Sequence, residues 1–447
     1  MTSIGKSSGK GVWPLAYNLL LLPLILLAAY LLALFKGGKL RESLAGKRGV
    51  FERINEAMIH RDSPTPLVWF HVASAGEYLQ AQPVLIRMLE SGVKCLLTVA
   101  SVSGYRWVEE RKSELPGLLA VDYLPLDTPV NARRILKLIQ PDVLVYVRSD
   151  FWPNLVWEAH RRGVGQVVIS AALPRGSARY RSALARSLYA TLYADIEVIC
   201  AVSQEDLERY KSQCPDHGGL ILTGDTRFDS VIERKESLVP PPLPDWISGE
   251  RVFVAGSIWP QDQERIVPVL QEFLTRYPDL VVLLAPHEIH EEQLNRLERD
   301  FANWAPLRYT AWMGRGPSQS TSRVFLLDTV GVLAGVYRCG SMAYVGGGFS
   351  SGVHNVMEPA VMGLPVFFGP RHHNAKEARE LLEEGTAFSF SDQAGFRAAL
   401  LPLLEDPALT TRLGTQAESF ILKNKGAAQK SYDKIRELLN RNRPVSS

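Results

Sequence analysis

The chain has 447 residues, of which 46% are hydrophobic and 22% are charged, values typical of a globular protein with room for two domains. Its net charge of +3, without a dense basic run interleaved with aromatic residues, argues against a nucleic-acid partner. The four cysteines are scattered without C-x-x-C spacing, which indicates reduced thiols of a cytosolic compartment rather than a disulfide framework or a zinc site.

Residues 13–35 carry no charge, and about 20 apolar residues suffice to cross the hydrocarbon core of a bilayer. The run is longer than the apolar part of a secretory signal and no A-x-A site follows it, so we expect a membrane anchor. Pro14, Asn18 and Pro23 weaken a helix here, which leaves open whether the anchor spans the bilayer or is only embedded in it.

Basic residues flank this run unequally. Lys6 and Lys10 precede it, and the larger group follows it: Lys36, Lys39, Arg41, Lys47, Arg48 and Arg53. This bias predicts that the rest of the chain lies on the cytoplasmic side of the membrane. The second group also suits contact with anionic headgroups at the membrane surface.

After a basic amphipathic stretch that ends at about Asp62, before Pro64 and Pro66, short apolar runs alternate with helical patterns. In the first half we expect strands at 67–72, 94–99, 142–147, 166–170, 196–203 and 220–224, and a helix at 81–89. The proline-rich stretch 238–250 reads as a linker. In the second half we expect strands at 251–257, 280–286, 324–328, 342–348 and 365–369, a flexible loop at 310–322 and a helical tail from about 393.

Strands that alternate with helices predict an α/β fold with parallel, doubly wound sheets. We therefore expect two Rossmann-like domains facing a cleft, where ligands bind at the carboxyl ends of the strands. The expected organisation is an anchor at 1–40, a first domain at 41–237, the linker at 238–250 and a second domain at 251–447.

The strongest local signal is the glycine-rich segment 345–370, in which a strand ends in three glycines and a helix is expected to start near Asn355. Glycines such as Gly347, Gly348 and Gly352 let a phosphate approach backbone amides, and Glu358 can accept hydrogen bonds from ribose hydroxyls. The alternative is a glycine-rich turn in which Glu358 only caps the helix. The segment 348–352 also matches a hydrolase nucleophile elbow formally. That class requires an acid and then a histidine later in the chain, and no convincing pair follows here.

A second signal is the run of Ser74, Ala75, Gly76 and Glu77 between an expected strand and helix. A carboxylate at this junction can take a proton from an acceptor hydroxyl, or it can merely stabilise the start of the helix. Arg148 and Asp150 follow another strand. Arg148 either contacts a carboxylate or phosphate of a ligand or forms a local ion pair with Asp150.

Metal binding is not predicted. The histidines of His287-Glu288-Ile289-His290 are three residues apart rather than the four of H-E-x-x-H, and no Asp-x-Asp occurs in the chain.

Taken together these motifs resemble the 3-deoxy-D-manno-octulosonic acid (Kdo) transferase family of lipopolysaccharide synthesis, and the likeness runs from the anchor to nearly the end of the chain. The S-x-G-E pattern of the family is present at 74–77, and Y-L-P-x-D-x-P at 123–129. The segments 224–229 and 256–264 resemble G-N-x-K-F-D and G-S-T-x(3)-E/D-E, and 346–359 matches G-G-x-F-x(2)-G-x-H-N-x(2)-E-P closely.

The resemblance implies a GT-B fold and a metal-free, cofactor-free inverting transfer of Kdo from CMP-Kdo to a lipid A precursor. It implies that Glu77 is the general base, that Asp150 shares the catalytic site, and that Asn355 and Glu358 hold the nucleotide. The further residues expected to bind the donor are Arg227, Ser257, His287, Gly347, Gly348, Gly352 and His354. Those expected to bind the acceptor are Ser74, Gly76, Ser101 and Ser103.

Two positions depart from the family pattern. Arg148 stands where many members carry the first acid of E-T-E-L-W-P-N, and Pro286 stands where many carry the arginine of P-R-H. His287 and Arg227 are the expected substitutes for that arginine. The rival functions are another GT-B enzyme, such as a UDP-sugar transferase or an epimerase, and a non-catalytic membrane scaffold. The number of Kdo residues transferred, the acyl pattern of the acceptor and the oligomeric state do not follow from the sequence.

Overall fold

The computed structural model of the protein describes residues 11–36, 38–59, 61, 65–247, 251–315 and 322–442. Several expected features lie wholly or partly outside the described residues: Lys6 and Lys10, the side chains of Lys36 and Lys39, Asp62 and Pro64, and positions 248–250 and 316–321. The chain divides into two compact units. The first comprises Met1–Ser230 with Lys425–Ser447, and the second comprises Val231–Asn424.

The N-terminal helix runs from Val12 to Lys36 and contains one widened turn. Helix α1 is Val12–Ala16, a π-helical turn covers Tyr17–Leu21, and α2 is Leu22–Lys36. The turn lies directly before Pro23, whose ring cannot fit against the carbonyl four residues earlier in a regular helix. By length and composition Val12–Leu32 can cross a membrane.

One part of this helix docks on the first unit through polar contacts. The hydroxyl of Tyr17 donates to Oδ2 of Asp127 over 3.0 Å, and the Asn18 and Asn154 side chains exchange hydrogen bonds of 2.8 and 2.9 Å. Other side chains of the same helix are exposed and apolar: Leu15, Leu19, Leu20, Leu24, Ile25 and Leu27. Asn18 therefore joins the helix to the body of the unit.

Two short helices follow the N-terminal helix, α3 Gly38–Gly46 and α4 Val50–Ile59. Two members of the basic group have partners within the first unit. Arg53 donates through Nε and Nη2 to the carboxylate of Asp122, at 2.8 and 2.6 Å, and the ammonium of Lys47 donates to the Leu124 carbonyl. Lys47 and Arg53 thus have partners within the first unit, although Arg53 is exposed like Arg41 and Arg48, and contact of the basic group with headgroups stays a prediction.

The strands of the first unit are β1 Leu67–Val72, β2 Lys94–Val99, β3 Leu118–Tyr123, β4 Val143–Val147, β5 Gly165–Ala171, β6 Val198–Ala201 and β7 Leu220–Leu222. They form one parallel sheet in the order β3-β2-β1-β4-β5-β6-β7. The chain starts near the middle of the sheet and extends first to one side and then to the other. This is the doubly wound arrangement expected from the sequence.

Helices connect these strands: α5 Ala75–Glu90, α6 Val102–Glu109, α7 Pro129–Ile139, α8 Pro153–Arg161, α9 Ala178–Arg181, α10 Ala183–Ala194 and α11 Gln204–Gln213. Helix α12, Thr226–Ser237, follows β7 and contains the boundary between the two units. The side chains of strand β1 lie on both faces of the sheet, because successive side chains of a strand point to opposite sides. Leu67 and Trp69 enter one hydrophobic core, whereas Val68, Phe70 and Val72 enter the other.

The strands of the second unit are β8 Val252–Ile258, β9 Val281–Pro286, β10 Leu307–Arg308, β11 Val324–Leu326, β12 Met342–Val345, β13 Val366–Phe368 and β14 Ala387–Ser389. They also form one parallel sheet, in the order β10-β11-β9-β8-β12-β13-β14. Its helices are α13 Pro260–Arg276, α14 Glu291–Asp300, α15 Tyr309–Arg315, α16 Leu333–Val336, α17 Met357–Val361, α18 Lys376–Glu383, α19 Gln393–Glu405 and α20 Pro407–Lys423.

The last helix, α21 Ala427–Asn442, returns to the first unit. Its Ala428, Ile435, Leu438 and Leu439 are buried in the same core as Val68. The second compact unit therefore ends at Asn424, whereas the sequence led us to expect the second domain to continue to 447.

Other differences from the expectations are local. Helix α5 begins at Ala75, six residues before the expected 81, because Ser74 caps it. Helix α15 occupies the start of the expected loop 310–322, and α17 begins at Met357 rather than near Asn355. Strand β3 was not expected, since Asp122 interrupts its apolar run, nor were the short edge strands β10 and β14.

The docking of the N-terminal helix predicts coupling between Asn18 and Asn154. Asn154→Ala removes both hydrogen bonds to Asn18 and a third to the Asp127 carbonyl, so it should lower the free energy of unfolding by about 1–3 kcal/mol. In the Asn18→Ala/Asn154→Ala double variant, the loss of unfolding free energy should be smaller than the sum of the two single-variant losses by at least about 0.5 kcal/mol. Pairing Asn154→Ala with Asn295→Ala, an exposed position of the second unit, is the additive control. Additive losses at Asn18 and Asn154 would contradict the docking.

Candidate active-site residues

In the first unit the expected base lies at the start of α5. The side chain of Ser74 caps the helix by accepting the Glu77 N–H, and Oε2 of Glu77 accepts the Ala73 N–H over 2.6 Å. One carboxylate oxygen thus holds the turn after β1, as the structural alternative predicted. Within the described residues no partner is recorded for Oε1, so it can still accept a proton from a ligand.

Glu77 lies in an environment that favours its protonated form. Burial, and after it the negative charge of Asp150, raise the pKa of Glu77 above the ordinary carboxyl value. The Ala73 N–H and the neighbouring His71 and Arg148 oppose that shift. A raised pKa brings a carboxylate closer to the range in which it works as a general base near neutral pH.

Asp150 is held by two residues that the sequence did not single out. Its Oδ2 lies 3.2 Å from Nε2 of His71 and 3.2 Å from Nε1 of Trp152, and the two nitrogens are 2.8 Å apart. An indole N–H only donates, so Trp152 donates to Oδ2 of Asp150 when Nε2 of His71 carries the proton that it shares with the same oxygen. Burial alone favours a raised pKa for Asp150, but the hydrogen bonds from His71 and Trp152 outweigh it, and its pKa lies below the ordinary value.

His71 is fully buried and anchors this cluster to the sheet. Its Nδ1 lies 2.9 Å from the hydroxyl oxygen of Thr98 on β2, which also accepts the indole N–H of Trp69 over 2.9 Å. A polar residue inside the otherwise apolar run 67–72 was the signal in the sequence that could have identified it.

Lys47 and Arg148 add positive charge beside these carboxylates. The ammonium of Lys47 lies 6.0 Å from the centre of the Trp152 ring, and burial lowers its pKa to about 8, against the opposing charges of Asp150 and Asp122. Arg148 is exposed at the end of β4 and has a positive φ of 62°, a conformation that costs energy for any residue other than glycine. The arginine that replaces the first acid of the family pattern therefore stands at the Glu77 end of the sheet.

The expected acceptor residues lie at the starts of two adjacent helices. Ser101 caps α6 by accepting the Gly104 N–H over 3.2 Å, and Ser103 is exposed on the first turn. Gly76 is exposed, and a side chain there would meet only the Ser74 hydroxyl oxygen, at 3.7 Å. The surface beside Glu77 is consequently open at Gly76.

In the second unit the glycine-rich loop follows β12 and is tightly packed. Gly347 and Gly352 have φ values of 92° and 122°, which only glycine adopts readily. A Cβ on Gly347 would lie 2.3 Å from the Gly352 carbonyl oxygen, and one on Gly348 would lie 2.5 Å from the Gly369 nitrogen. The loop therefore requires glycine on structural grounds, whatever it binds.

A buried carboxylate fixes this loop. Asp262, near the start of α13, accepts the Gly347 N–H over 3.0 Å, the Tyr344 hydroxyl over 2.7 Å and the Trp259 N–H over 2.8 Å. Asp262 was not predicted as a site residue, although Pro260 followed by an acid two residues later is a typical helix start.

Three rings stack beside the loop. The His287 ring lies between those of Trp259 and His354, with centroid distances of 4.4 and 4.3 Å. The Trp259 indole donates to Nε2 of His354 over 2.9 Å, so the proton of a neutral His354 is on Nδ1 and can be donated to a ligand. Burial and the neighbouring His287 lower the pKa of His354, although Asp262 opposes the shift.

The other histidine of the 287–290 segment has a different partner. His290 lies 3.0 Å from the Glu288 carboxylate at the surface, whereas His287 belongs to the ring stack. The structure does not direct the two histidines to one point. Ser257, at the end of β8, has a positive φ of 54° and its carbonyl lies directly against Gly346.

The nucleotide-binding pair expected at 355–358 also has internal partners. Asn355 accepts the Met357 N–H over 3.1 Å, and Oε1 of Glu358 accepts from Arg234 over 3.0 Å. Burial raises the pKa of Glu358, while Arg234 and Asn355 oppose the shift. A ribose that binds Glu358 therefore competes with Arg234 for one of its oxygens.

Arg227 and Ser350, two further positions considered above, each have a hydrogen-bond partner in the structure. Arg227 lies in the first unit, where Nε and Nη2 bond the Asp225 carboxylate at 2.9 and 2.8 Å, so its charge is already balanced. Ser350, the nucleophile of the formal elbow, donates to the Gly347 carbonyl over 3.3 Å, which provides no activated nucleophile.

Comparison with known proteins finds similarity to one family. Residues 48–230 match the sequence model of the family described as 3-deoxy-D-manno-octulosonic-acid transferase (kdotransferase). The chain is 26% identical over 443 residues to the 3-deoxy-D-manno-octulosonic acid transferase of Haemophilus influenzae, covering 96% of this chain and 100% of that protein. It is 28% identical over 387 residues to the enzyme of the same name from Bordetella pertussis, covering 84% and 89%.

Among solved structures, a UDP-N-acetylglucosamine 2-epimerase aligns with a TM-score of 0.61 over 86% of this chain and 98% of its own, at 14% identity. That likeness concerns the fold alone, which is the two-sheet GT-B architecture expected from the sequence. With the motifs, a family model that matches residues 48–230 and relatives that span nearly the whole chain, the protein is similar to the 3-deoxy-D-manno-octulosonic acid transferases, and these relatives indicate that it is a glycosyltransferase.

Proposed function

We propose that the protein transfers Kdo from CMP-Kdo to a lipid A precursor of the lipid IVA type, with inversion, at the cytoplasmic face of the inner membrane. The observation that carries this proposal is the position of Glu77. It lies at the start of α5 with a raised pKa and with Oε1 not engaged by a described residue, beside a second carboxylate held in place by His71 and Trp152.

In the proposed reaction the acceptor hydroxyl attacks the anomeric carbon of Kdo from the face opposite the nucleotide. Its proton passes to Glu77, the new carbon–oxygen bond forms, and the bond to the CMP phosphate oxygen breaks with its electron pair. Displacement from the opposite face inverts the anomeric carbon. General-base assistance of this kind is typically worth 10²–10⁴-fold in rate.

The first unit is proposed to bind the acceptor. Ser74, Ser101 and Ser103 offer hydroxyls at the starts of α5 and α6, and Gly76 leaves the approach to Glu77 open. Asp150, kept ionised by its hydrogen bonds, is proposed to orient the acceptor hydroxyl rather than to take its proton, because its lowered pKa makes it the weaker base.

The second unit is proposed to bind the donor. Gly347, Gly348 and Gly352 let the phosphate approach the backbone of the loop, with Ser257 and the stacked His287 at its side. His354 can donate Nδ1–H to an anionic oxygen. Asn355 and Glu358 are proposed to hold the cytidine ribose, and Arg227 stays a predicted donor-binding residue.

Membrane attachment is proposed to come from the N-terminal helix. Its exposed leucines suit a lipid environment, and the polar contacts of Tyr17 and Asn18 join the helix to the first unit. Such an arrangement keeps the acceptor-binding unit at the surface where its lipid substrate resides.

The donor and acceptor are tested by incubating the detergent-solubilised protein with CMP-Kdo and a tetra-acylated lipid A precursor in the presence of EDTA. The expected product gains the mass of Kdo, and its new linkage is inverted relative to the donor. CMP should bind more tightly than UDP in calorimetry. Preferential binding of UDP, with no product from CMP-Kdo, would instead indicate a UDP-sugar enzyme.

The base assignment predicts the behaviour of Glu77→Gln. The amide keeps the shape and can still accept the Ala73 N–H, but it cannot take a proton, so kcat should fall at least about a hundredfold with CMP affinity and Tm nearly unchanged. In the wild type, kcat/KM should decline as the pH falls through the raised pKa of Glu77, and this decline should be missing in the variant.

Glu205→Gln, in the first turn of α11, is a matched control, because it removes a carboxylate from a helix start of the same unit outside the proposed site. It should keep its activity. Near wild-type transfer by Glu77→Gln would show that the base is elsewhere, with Asp150 the first candidate.

The anchor assignment predicts that charge on the exposed face of the helix weakens membrane attachment. An aspartate at a bilayer centre costs about 2.5–3.5 kcal/mol on insertion scales, so Leu20→Asp, Leu24→Asp and Leu27→Asp combined should move the protein out of the carbonate-washed membrane fraction. Leu422→Asp, at an exposed leucine of the second unit, is the control. Unchanged retention of the triple variant would show that the body of the protein binds the bilayer by itself.

A further inference from the structure

The segment that follows β13 packs directly on the glycine-rich loop. The N–H of Arg371 donates to the Gly348 carbonyl over 2.9 Å, and the Arg371 carbonyl accepts the Val353 N–H over 2.9 Å. The side chain of Asn374 adds a hydrogen bond to the Val353 carbonyl over 3.0 Å. Arg371 is therefore tied by its backbone to both ends of the loop.

The guanidinium of Arg371 is also held at the loop. Its Nη1 donates to the Ser350 carbonyl over 2.6 Å, and the side chain is otherwise exposed. No carboxylate partner is recorded for it within the described ranges, so its charge is not balanced there. A guanidinium with one donor fixed on a carbonyl still presents its other N–H groups to an anion.

Two other arginines mentioned above differ in this respect. Arg227 is bonded to Asp225 and Arg234 to Glu358, while the end of β9 carries Pro286 where many members of the family carry arginine. Binding an anion at Arg227 or Arg234 requires sharing a carboxylate partner, whereas Arg371 requires no such exchange.

We propose that Arg371 is a donor-binding residue whose guanidinium contacts the phosphate monoester of the nucleotide, and so supplies the positive charge that Pro286 cannot. This inference rests on the proposed function. The glycines of the loop allow the phosphate to approach the backbone, and Arg371 lies on that backbone with its charge unpaired. Its role is binding, and the proton transfer is left to Glu77.

The test compares two ligands on the full-length solubilised protein. CMP and cytidine differ only in the phosphate, so Arg371→Gln should weaken CMP binding about ten- to a hundredfold, the scale of a charge-assisted hydrogen bond, and leave cytidine binding unchanged. Arg371→Lys should recover part of the loss, because lysine keeps the charge without the forked geometry. Glu358→Ala should instead weaken both ligands alike, since its proposed contact is with the ribose.

Arg397→Gln is the control for loss of an exposed guanidinium in the same unit, where it is paired with Glu272. It should leave both affinities unchanged, and thermal melting should show that every variant is folded. The inference is overturned if Arg371→Gln binds CMP like the wild type, if CMP and cytidine weaken equally, or if only CMP-Kdo binding weakens, which would assign the contact to the Kdo carboxylate. If the wild type itself fails to bind CMP, the proposed donor and this inference fall together.

Discussion

A buried carboxylate that accepts backbone N–H groups organises each of the two candidate sites. Asp262 joins the start of α13 to the glycine-rich loop through the amides of Trp259 and Gly347. Asp127 accepts the amides of Asn154 and Leu155 at the start of α8, just after the segment that carries Asp150 and Trp152. Without these acceptors the loops that present the functional side chains would have no fixed position.

Burying a carboxylate is costly, and the cost shows at Asp127. Burial raises its pKa to about 6, even though the amides of Asn154 and Leu155 and the Tyr17 hydroxyl all favour the ionised form. Asp262 is wholly buried and is likewise surrounded by donors. The two sites thus share one principle, in which the geometry of a polar loop is maintained at the expense of desolvating one charge.

The alternation of apolar runs and helical patterns was enough to predict the parallel strands near the centre of both sheets. Strand β1 was predicted to the residue, because LVWFHV is apolar almost throughout and is bounded by a proline and by small polar residues. Strand β3 was missed because its Asp122 points to Arg53, a partner 69 residues away. The edge strands β10 and β14 are too short to show a period, and the assignment of α21 to the first unit is a tertiary contact that no local pattern encodes.

The motifs located residues of interest but not the residues that hold them. Glu77, Asp150 and the loop glycines stood out because they interrupt strand–helix patterns at the carboxyl ends of strands. His71, Thr98 and Asp262 lie within regular elements, and their importance depends on which side chain from another element they meet. The basic group after the N-terminal helix is a further case, since its charge pattern does not reveal that Lys47 contacts Leu124 and that Arg53 contacts Asp122.

The return of α21 to the first unit sets the order in which the protein can fold during synthesis. The core around Val68 lacks Ile435, Leu438 and Leu439 until these residues have left the ribosome, so the unit whose strands are made first is completed after the second unit has been made. The second unit is continuous in sequence from Val231 to Asn424 and has no such dependence. Until then one face of the N-terminal sheet lacks the side chains of α21 that cover it.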